Sequence, residues 1–389
     1  MVPDGWRETR LGKIASHLTS GSRGWAAYYA DQGDRFIRIT NLQRGTIQLD
    51  YSSLKYVQLP QGSKEGQRTL LSKGDILISI TADLGIIGFI DRHPSVDSYI
   101  NQHVALVRID NQEIDTKFVA YQLASDQYQK TIKRLNDAGA KAGLSLLTVR
   151  SIPLSIPPLP EQKKIARILS TWDRAIETVE RLIANSKAQK KALMQQLLTG
   201  KRRFLGFEES VWKFGRFDEL FKVSNDKKTQ VPKGGYHETG MVPIVDQGKA
   251  FIVGYTNSSS SYRDVPVIVF GDHTRIVKWV DFEFCPGADG TQVIKTIAGI
   301  DPKFGYYLIS AARLPNLGYS RHMRELKERD FRFPESLSEQ KKIVSAIGAC
   351  DETLQNQSNQ LQALVSEKKA LMQQLLTGKR RVKVDEAAA

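Results

Sequence analysis

The chain has 389 residues, with 56 Lys and Arg against 42 Asp and Glu and a formal charge of +14. That length exceeds one ordinary core and points to two or three domains, and the positive excess points to a polyanionic partner, nucleic acid first. The only cysteines are Cys285 and Cys350, and neither an apolar leader nor an uncharged apolar run of about 18 residues is present, which argues against a disulfide scaffold, a cysteine-rich zinc site, export and membrane spanning, and for a reducing cytoplasm.

In chain order, residues 1–158 read as a mixed α and β domain. FIRI, IQL, DILISI, GIIGFI and HVALVRI are short β-rich runs, followed by a helix-like DTKFVAYQLASDQYQKTIKRL. Residues 159–202 then read as one long helix, with apolar side chains at alternating steps of four and three: Ile165, Leu169, Trp172, Ile176, Val179 and Ile183, then Leu193 and Leu197. Residues 203–337 form a second mixed domain with VPVIVF, RIVKWV, TQVIKTI and a helix opening at Pro302. Residues 338–381 repeat the helix, with Ile343, Ile347, Cys350, Leu354, Gln357, Leu361, Leu364, Lys368, Leu371 and Leu375 in the same frame, and 382–389 form a tail.

The repeat is literal at both helix ends. KKALMQQLLTGKRR stands at Lys190–Arg203 and at Lys368–Arg381, and EQKKI at Glu161–Ile165 and Glu339–Ile343, both pairs 178 positions apart. Glycine with cations behind it (Gly200, Gly378) suits the carbonyl end of a helix. Each helix of roughly 38 residues spans about 57 Å, whereas the ~135 residues between them fold to a radius of gyration of about 14 Å, often with neighbouring termini. That mismatch predicts an antiparallel coiled coil. Trp6, Arg10, Leu11 and Ile14 also have the spacing of Trp212, Arg216, Phe217 and Leu220, so the two domains open alike although their lengths differ.

The sequence offers no phosphate loop, dinucleotide fingerprint, zinc-protease motif or paired CxxC, and Ile156–Leu159 is not a methyltransferase tetrapeptide. Gly271–Thr274 reads as a polar strand-end turn rather than a metal site, and Ser20–Gly24 as a surface loop or a phosphate cradle. No catalytic residue and no metal ligand is assigned. Basic, amide and hydroxyl residues interleaved with aromatics are the DNA-binding candidates. They are Ser22, Arg23, Trp25, Tyr28, Arg38, Asn41, Arg44 and Lys141 in the first domain, and Gln247, Lys249, His273, Thr274, Arg275, Tyr319, Arg321, His322 and Arg324 in the second. Within the identical fourteen residues, Gln195, Gln196, Arg202 and Arg203 and their counterparts Gln373, Gln374, Arg380 and Arg381 lie off the apolar seam. They read as two equal docking surfaces for two copies of one partner, or as a recent duplication. The drift of Thr178–Ser186 against Asn356–Leu364 favours docking.

Two variable domains, each leading through a P-x-L-x-E-Q-like entry into a long helix that closes with LLTGK, resemble the specificity subunit of type I restriction-modification enzymes. Gly74–Leu77 with Tyr99–His103, and Val269–Thr274 with Gly318–His322, add to the resemblance, while Glu335–Ser338 departs from the proline-rich entry. The resemblance implies an α+β fold: two target recognition domains separated by two conserved helices in an antiparallel coiled coil with an internal pseudo-two-fold. It implies a non-catalytic, cytoplasmic subunit binding double-stranded DNA at a bipartite target, with two methyltransferase subunits docked on the chain and restriction subunits in the full complex. S-adenosylmethionine would then sit on the methyltransferase, and ATP and Mg2+ on the restriction partner, with no cofactor on this chain. A coiled-coil adapter with incidental charge, or a self-sufficient DNA-modifying enzyme with an unfamiliar site, are the alternatives.

Overall fold

The computed structural model describes residues 3–136, 143–315, 318 and 320–384. Its two long helices are Leu159–Leu197 and Leu337–Leu375, each 39 residues. The chain divides into two compact units, Met1–Glu180 with Asn359–Ala389, and Arg181–Ser358. Each unit therefore holds one globular head, the N-terminal half of one long helix and the C-terminal half of the other.

The two heads share a topology that their sequences hide. The first has an antiparallel four-stranded sheet in the order His17–Ser20, Val104–Arg108, Ile76–Ser79, Ile87–Phe89; the second repeats it as Phe221–Val223, Thr291–Thr296, Val267–Gly271, Val277–Val280. A smaller sheet faces it. In the first head this sheet pairs Asp34–Ile37 in parallel with Ser98–Ile100, and in the second Val242–Val245 in parallel with Cys285–Pro286. A ribbon closes each head onto the helices: Arg7–Arg10 against Pro153–Ile156, and Trp212–Arg216 against Asp330–Pro334.

Residues that face both sheets and helices supply the cores. Alternate residues of one central strand, Ile76 and Ile78, pack with Phe118, Tyr121, Ile165 and Leu169, while Leu77 turns to Ile37 and Leu42. In the second head Ile268 and Phe270 pack with Phe304, Tyr307, Ile343 and Ile347, while Val269 turns to Val245. The period of two along the strand thus serves two apolar layers at once. The long helix-like run 115–135 is two helices, Thr116–Ala124 and Asp126–Arg134, because Ser125 is extended (φ −68°, ψ 150°) and its hydroxyl donates to Gln122 O.

Within each unit the long helices run antiparallel, and the two literal repeats are each other's partners. In the first unit Arg381 donates twice to the buried Glu161, at 2.7 Å each; in the second Arg203 does the same to Glu339 at 2.9 Å. Further along, Lys368 meets Asp173 at 2.5 Å and Lys190 meets Asp351, so the partner number falls as the helix number climbs. Gln162 and Gln340 are fully satisfied in the same way: one receives Asp115 N and donates to Glu113 O and Pro157 O, the other receives Asp301 N and donates to Gly299 O and Pro334 O. EQ recurs because both side chains close a helix start onto a head. The departure at Glu335–Ser338 changes nothing in register, since Ser336 Oγ accepts from Glu339 N at 3.3 Å and the second helix begins at the position equivalent to Leu159.

The opening tryptophans are explained by the helix ends. Gly378 and Gly200 both adopt φ +68°, and a Cβ there would lie 3.3 Å from the Trp6 ring and 3.2 Å from the Trp212 ring. Glycine is needed twice over, for the left-handed turn and for the ring lying on it.

Tyr121 donates to Asp173 at 2.5 Å and Tyr307 to Asp351 at 2.7 Å, linking each head to the helix ion pair. Burial first, and then the neighbouring carboxylate, push both phenols well above the ordinary tyrosine range. Folded, they keep their protons where an unfolded tyrosine, with pKa about 10, loses its own. The stability they confer is complete below pH ~10 and falls as pH rises beyond it. Urea midpoints should drop between pH 9 and 11, and less steeply for Tyr121→Phe and Tyr307→Phe; equal slopes would contradict this origin.

Candidate nucleic-acid interface

Parallel strands deliver their following residues to the same edge, and this places a polar cluster in the first head. Asp34–Ile37 and Ser98–Ile100 end side by side, so Arg38–Thr40 and Asn101–His103 emerge together. They line a cleft of about 330 Å3 with Trp25 and Tyr29. The turn after Ile76–Ser79 joins them, with His103 Nδ1 2.6 Å from the Thr81 hydroxyl and the Gln102 amide 3.0 Å from His103 Nε2. An amide nitrogen only donates, so Nε2 accepts and Nδ1–H points to Thr81. Arg38 gives one N–H to Ser53 O at 3.1 Å, and its Nε is buried without a protein partner.

The second head builds a cluster at the same topological place from other residues. Val242–Val245 and Cys285–Pro286 end in parallel and release 246–249 and 287–289. Gln247 donates to Asp289 O at 2.9 Å and accepts from His273 N at 3.1 Å, and the Thr274 hydroxyl donates to Gln247 O at 2.6 Å. His273 Nδ1 lies 3.2 Å from Ser320 O. Gly290, at φ +75°, admits this packing, because a Cβ would sit 2.6 Å from the His273 ring. Asp272 fastens the next loop: its carbonyl takes His322 N at 2.8 Å and its carboxylate takes Met323 N at 2.7 Å.

The remaining DNA-binding candidates differ in burial and in the partners they already hold. Trp25 is 3% exposed, stacked on Phe36 at 4.8 Å, and belongs to the core. Asn41 is fully buried, receiving Arg38 N and donating to Asp50 O at 2.8 Å, and so shapes a turn. His322 is likewise fully buried, its Nδ1 2.9 Å from Asp272 O. The guanidinium of Arg44 is occupied by Asp83, Leu84 O and Gln129, that of Arg324 pairs with Glu328, and that of Arg275 (φ +60°) donates to Leu314 O at 3.2 Å. Ser22 accepts from Trp25 Nε1 at 3.1 Å and donates to Glu65, and Tyr28 is half-buried edge-on to Trp25. Arg23, Lys249 and Arg321 are exposed and unpaired among the described residues. Lys141 and Tyr319 lie outside the described residues.

The docking candidates divide. Arg203 and Arg381 serve the internal pairs with Glu339 and Glu161, Arg203 half-buried and Arg381 still exposed. Gln195, Gln196 and Arg202 and their counterparts Gln373, Gln374 and Arg380 are exposed in both units, beyond what packing explains. Among the described residues there is no group of three or more His, Cys, Asp or Glu able to hold a metal ion, and no helix long and apolar enough to cross a membrane.

Comparison with known proteins shows what such a pair of heads is similar to. Residues 3–185 match the type I restriction modification DNA specificity domain family. Over nearly its whole length the chain is similar to a type I restriction enzyme specificity subunit. The MjaX specificity subunit of Methanocaldococcus jannaschii is 24% identical over an alignment of 411 positions that covers 98% of this chain and 95% of that protein. The EcoR124I/EcoR124II specificity subunit of Escherichia coli is 41% identical over 69 residues, 17% of each. The crystal structure of the type I restriction-modification S subunit from M. genitalium superposes with a TM-score of 0.62 at 14% identity, covering 96% of this chain and 97% of that one, and so shares its fold.

The matched region takes in the first head and most of the first long helix; the second head resembles the first in its repeated topology. Within that region Thr81, Gln102 and His103 join the candidate cluster without having been candidates on sequence alone. Their signal was present in the Tyr99–His103 motif, yet nothing local reveals that this segment ends beside Arg38, sixty positions earlier.

Proposed function

We propose that this specificity subunit reads a bipartite double-stranded DNA target, one half with each head, without catalysing bond chemistry itself. The observation that carries this reading is the pair of polar clusters, alike in topological position and different in residues: Arg38, Gln102 and His103 in one head, Gln247, His273 and Thr274 in the other. Two dissimilar readers on one repeated scaffold suit an asymmetric split site. Exposed Arg23, Lys249 and Arg321 supply phosphate or base contacts around them. On this reading the long helices set the spacer, and the duplicated Gln195, Gln196, Arg202 and Gln373, Gln374, Arg380 surfaces dock two methyltransferase subunits, through which restriction subunits join. S-adenosylmethionine belongs to the methyltransferase, ATP and Mg2+ to the restriction subunits, and the assembly works in the cytoplasm.

Selection from randomised duplexes with the chain and its methyltransferase partner should return one split motif; a pool without sequence preference would overturn the proposal. Arg321→Ala then separates base from phosphate contact. If Arg321 reads a base, one half-site weakens by about 1–3 kcal/mol, and if it holds a phosphate, every duplex weakens alike and the salt dependence becomes shallower.

A further inference from the structure

Lys278 stands on Val277–Val280, the edge strand of the second head's larger sheet, yet it is only 5% exposed. Its ammonium reaches out of the sheet and donates to Asp246 O at 2.7 Å and Ala250 O at 2.5 Å, with the Asp246 carboxylate 3.9 Å away. The same carboxylate accepts Gly248 N at 2.7 Å, so the segment 246–250 is closed from beneath and from within. Between those two anchored carbonyls lie Gln247, the centre of the polar cluster, and the exposed Lys249. Removing a lysine from water is costly unless its donors are matched, and here burial holds its pKa below the ordinary lysine range.

The shared fold does not require this lysine. Val269 and Leu77 occupy the same face of the same central strand in the two heads, the face turned to the smaller sheet. The cross-strand neighbour of Val269 is Lys278; that of Leu77 is Gly88, over which Leu49 and Leu42 close, leaving 2.7 Å and 3.4 Å to a Cβ. One head fills the space with leucines and the other with a charged group fastened to a loop. We propose that Lys278 is a positioning residue, which fixes the 246–250 loop before DNA arrives and so sets the discrimination of the second head alone. This rests on the reading of the chain as a two-headed DNA reader and deepens it.

The test uses the full chain in complex with its methyltransferase partner, and duplexes in which each half-site is scrambled in turn. Gln247→Ala first identifies the half-site read by the second head, as the one whose scrambling no longer matters. Lys278→Met should then lower discrimination at that half-site by roughly tenfold, leave the ratio at the other half-site unchanged and add little on top of Gln247→Ala. Unchanged ratios at both, or an equal loss at both that follows a fall in Tm, would overturn the proposal. Should Lys278→Met not fold, amide exchange in the wild-type complex without DNA decides: protection of residues 247–250 is expected, and exchange as fast as in 257–261 overturns it. If the wild-type complex prefers no split sequence at all, the parent reading falls and takes this one with it.

Discussion

Asp173→Ala should destabilise the first unit by about 3–5 kcal/mol, a large part of the stability of an ordinary domain. Asp173 and Lys368 are 6% and 5% exposed in their side chains, so truncation leaves a buried ammonium without its counter-charge. The loss does not stop there. Tyr121 loses its carboxylate acceptor and keeps only the Ser170 hydroxyl at 3.2 Å, and Lys368 keeps Gly45 O at 3.2 Å and the face of the Tyr121 ring. The first head, the N-terminal half of one helix and the C-terminal half of the other are all joined at this point, so their unfolding should become one earlier transition. The matching Asp351→Ala should cost less, because Lys190 and Asp351 are 20% and 40% exposed and water can replace the lost partner. Urea unfolding of the two variants checks both the size and the order. Asp173→Leu with Lys368→Met should regain most of the loss, since a buried pair replaced by apolar side chains is often neutral. A double variant as unstable as Asp173→Ala would mean that the pair stabilises by its charge and not by avoiding an orphan.

These same ion pairs show how much of the architecture was legible in the sequence and where legibility stopped. The heptad spacing named the seam, and each seam residue from Ile165 to Leu197 and from Ile343 to Leu375 is buried or half-buried. Helix ends were legible because glycine followed by cations is a local signal. The antiparallel sense followed from chain length, and Glu161–Arg381 with Asp173–Lys368 expresses it within one unit. What could not be seen is that EQKKI and KKALMQQLLTGKRR are contacts for one another: a repeat announces that both copies satisfy the same constraint, and does not say that the constraint is the other motif. The heads were harder still. Ile76–Ser79 and Val267–Gly271 are apolar runs that declare themselves, whereas Ser98–Ile100 and Cys285–Pro286 are short and owe their state to parallel partners far away in the chain. Composition could not choose between two roles at Trp25, Asn41 and His322, all buried. An aromatic, an amide and an imidazole suit a DNA groove, and equally suit a core stack, a turn and a strap, and only burial separates the two.

The proposal that the helices set the distance between half-sites predicts a large effect from lengthening them. Inserting seven residues into each helix, at positions that face one another across the seam, keeps the apolar register and adds about 10 Å of helix. At 3.4 Å per base pair that is roughly three base pairs. Binding and methylation at the original spacing should fall by well over tenfold, because only one head can then engage its half-site while the other stands over the wrong bases. Recovery at the longer spacing should be incomplete. Three base pairs turn the duplex by about 100°, given 10–10.5 base pairs per turn, whereas a heptad in a supercoiled pair turns the heads far less. Twist of the DNA must absorb the difference at an energetic cost. A three-residue insertion, which breaks the heptad, should instead lower stability without yielding any new preferred spacing. If the heptad-lengthened chain keeps the original spacing at full affinity, the helices do not measure the target, and the distance must be set by the partner subunits.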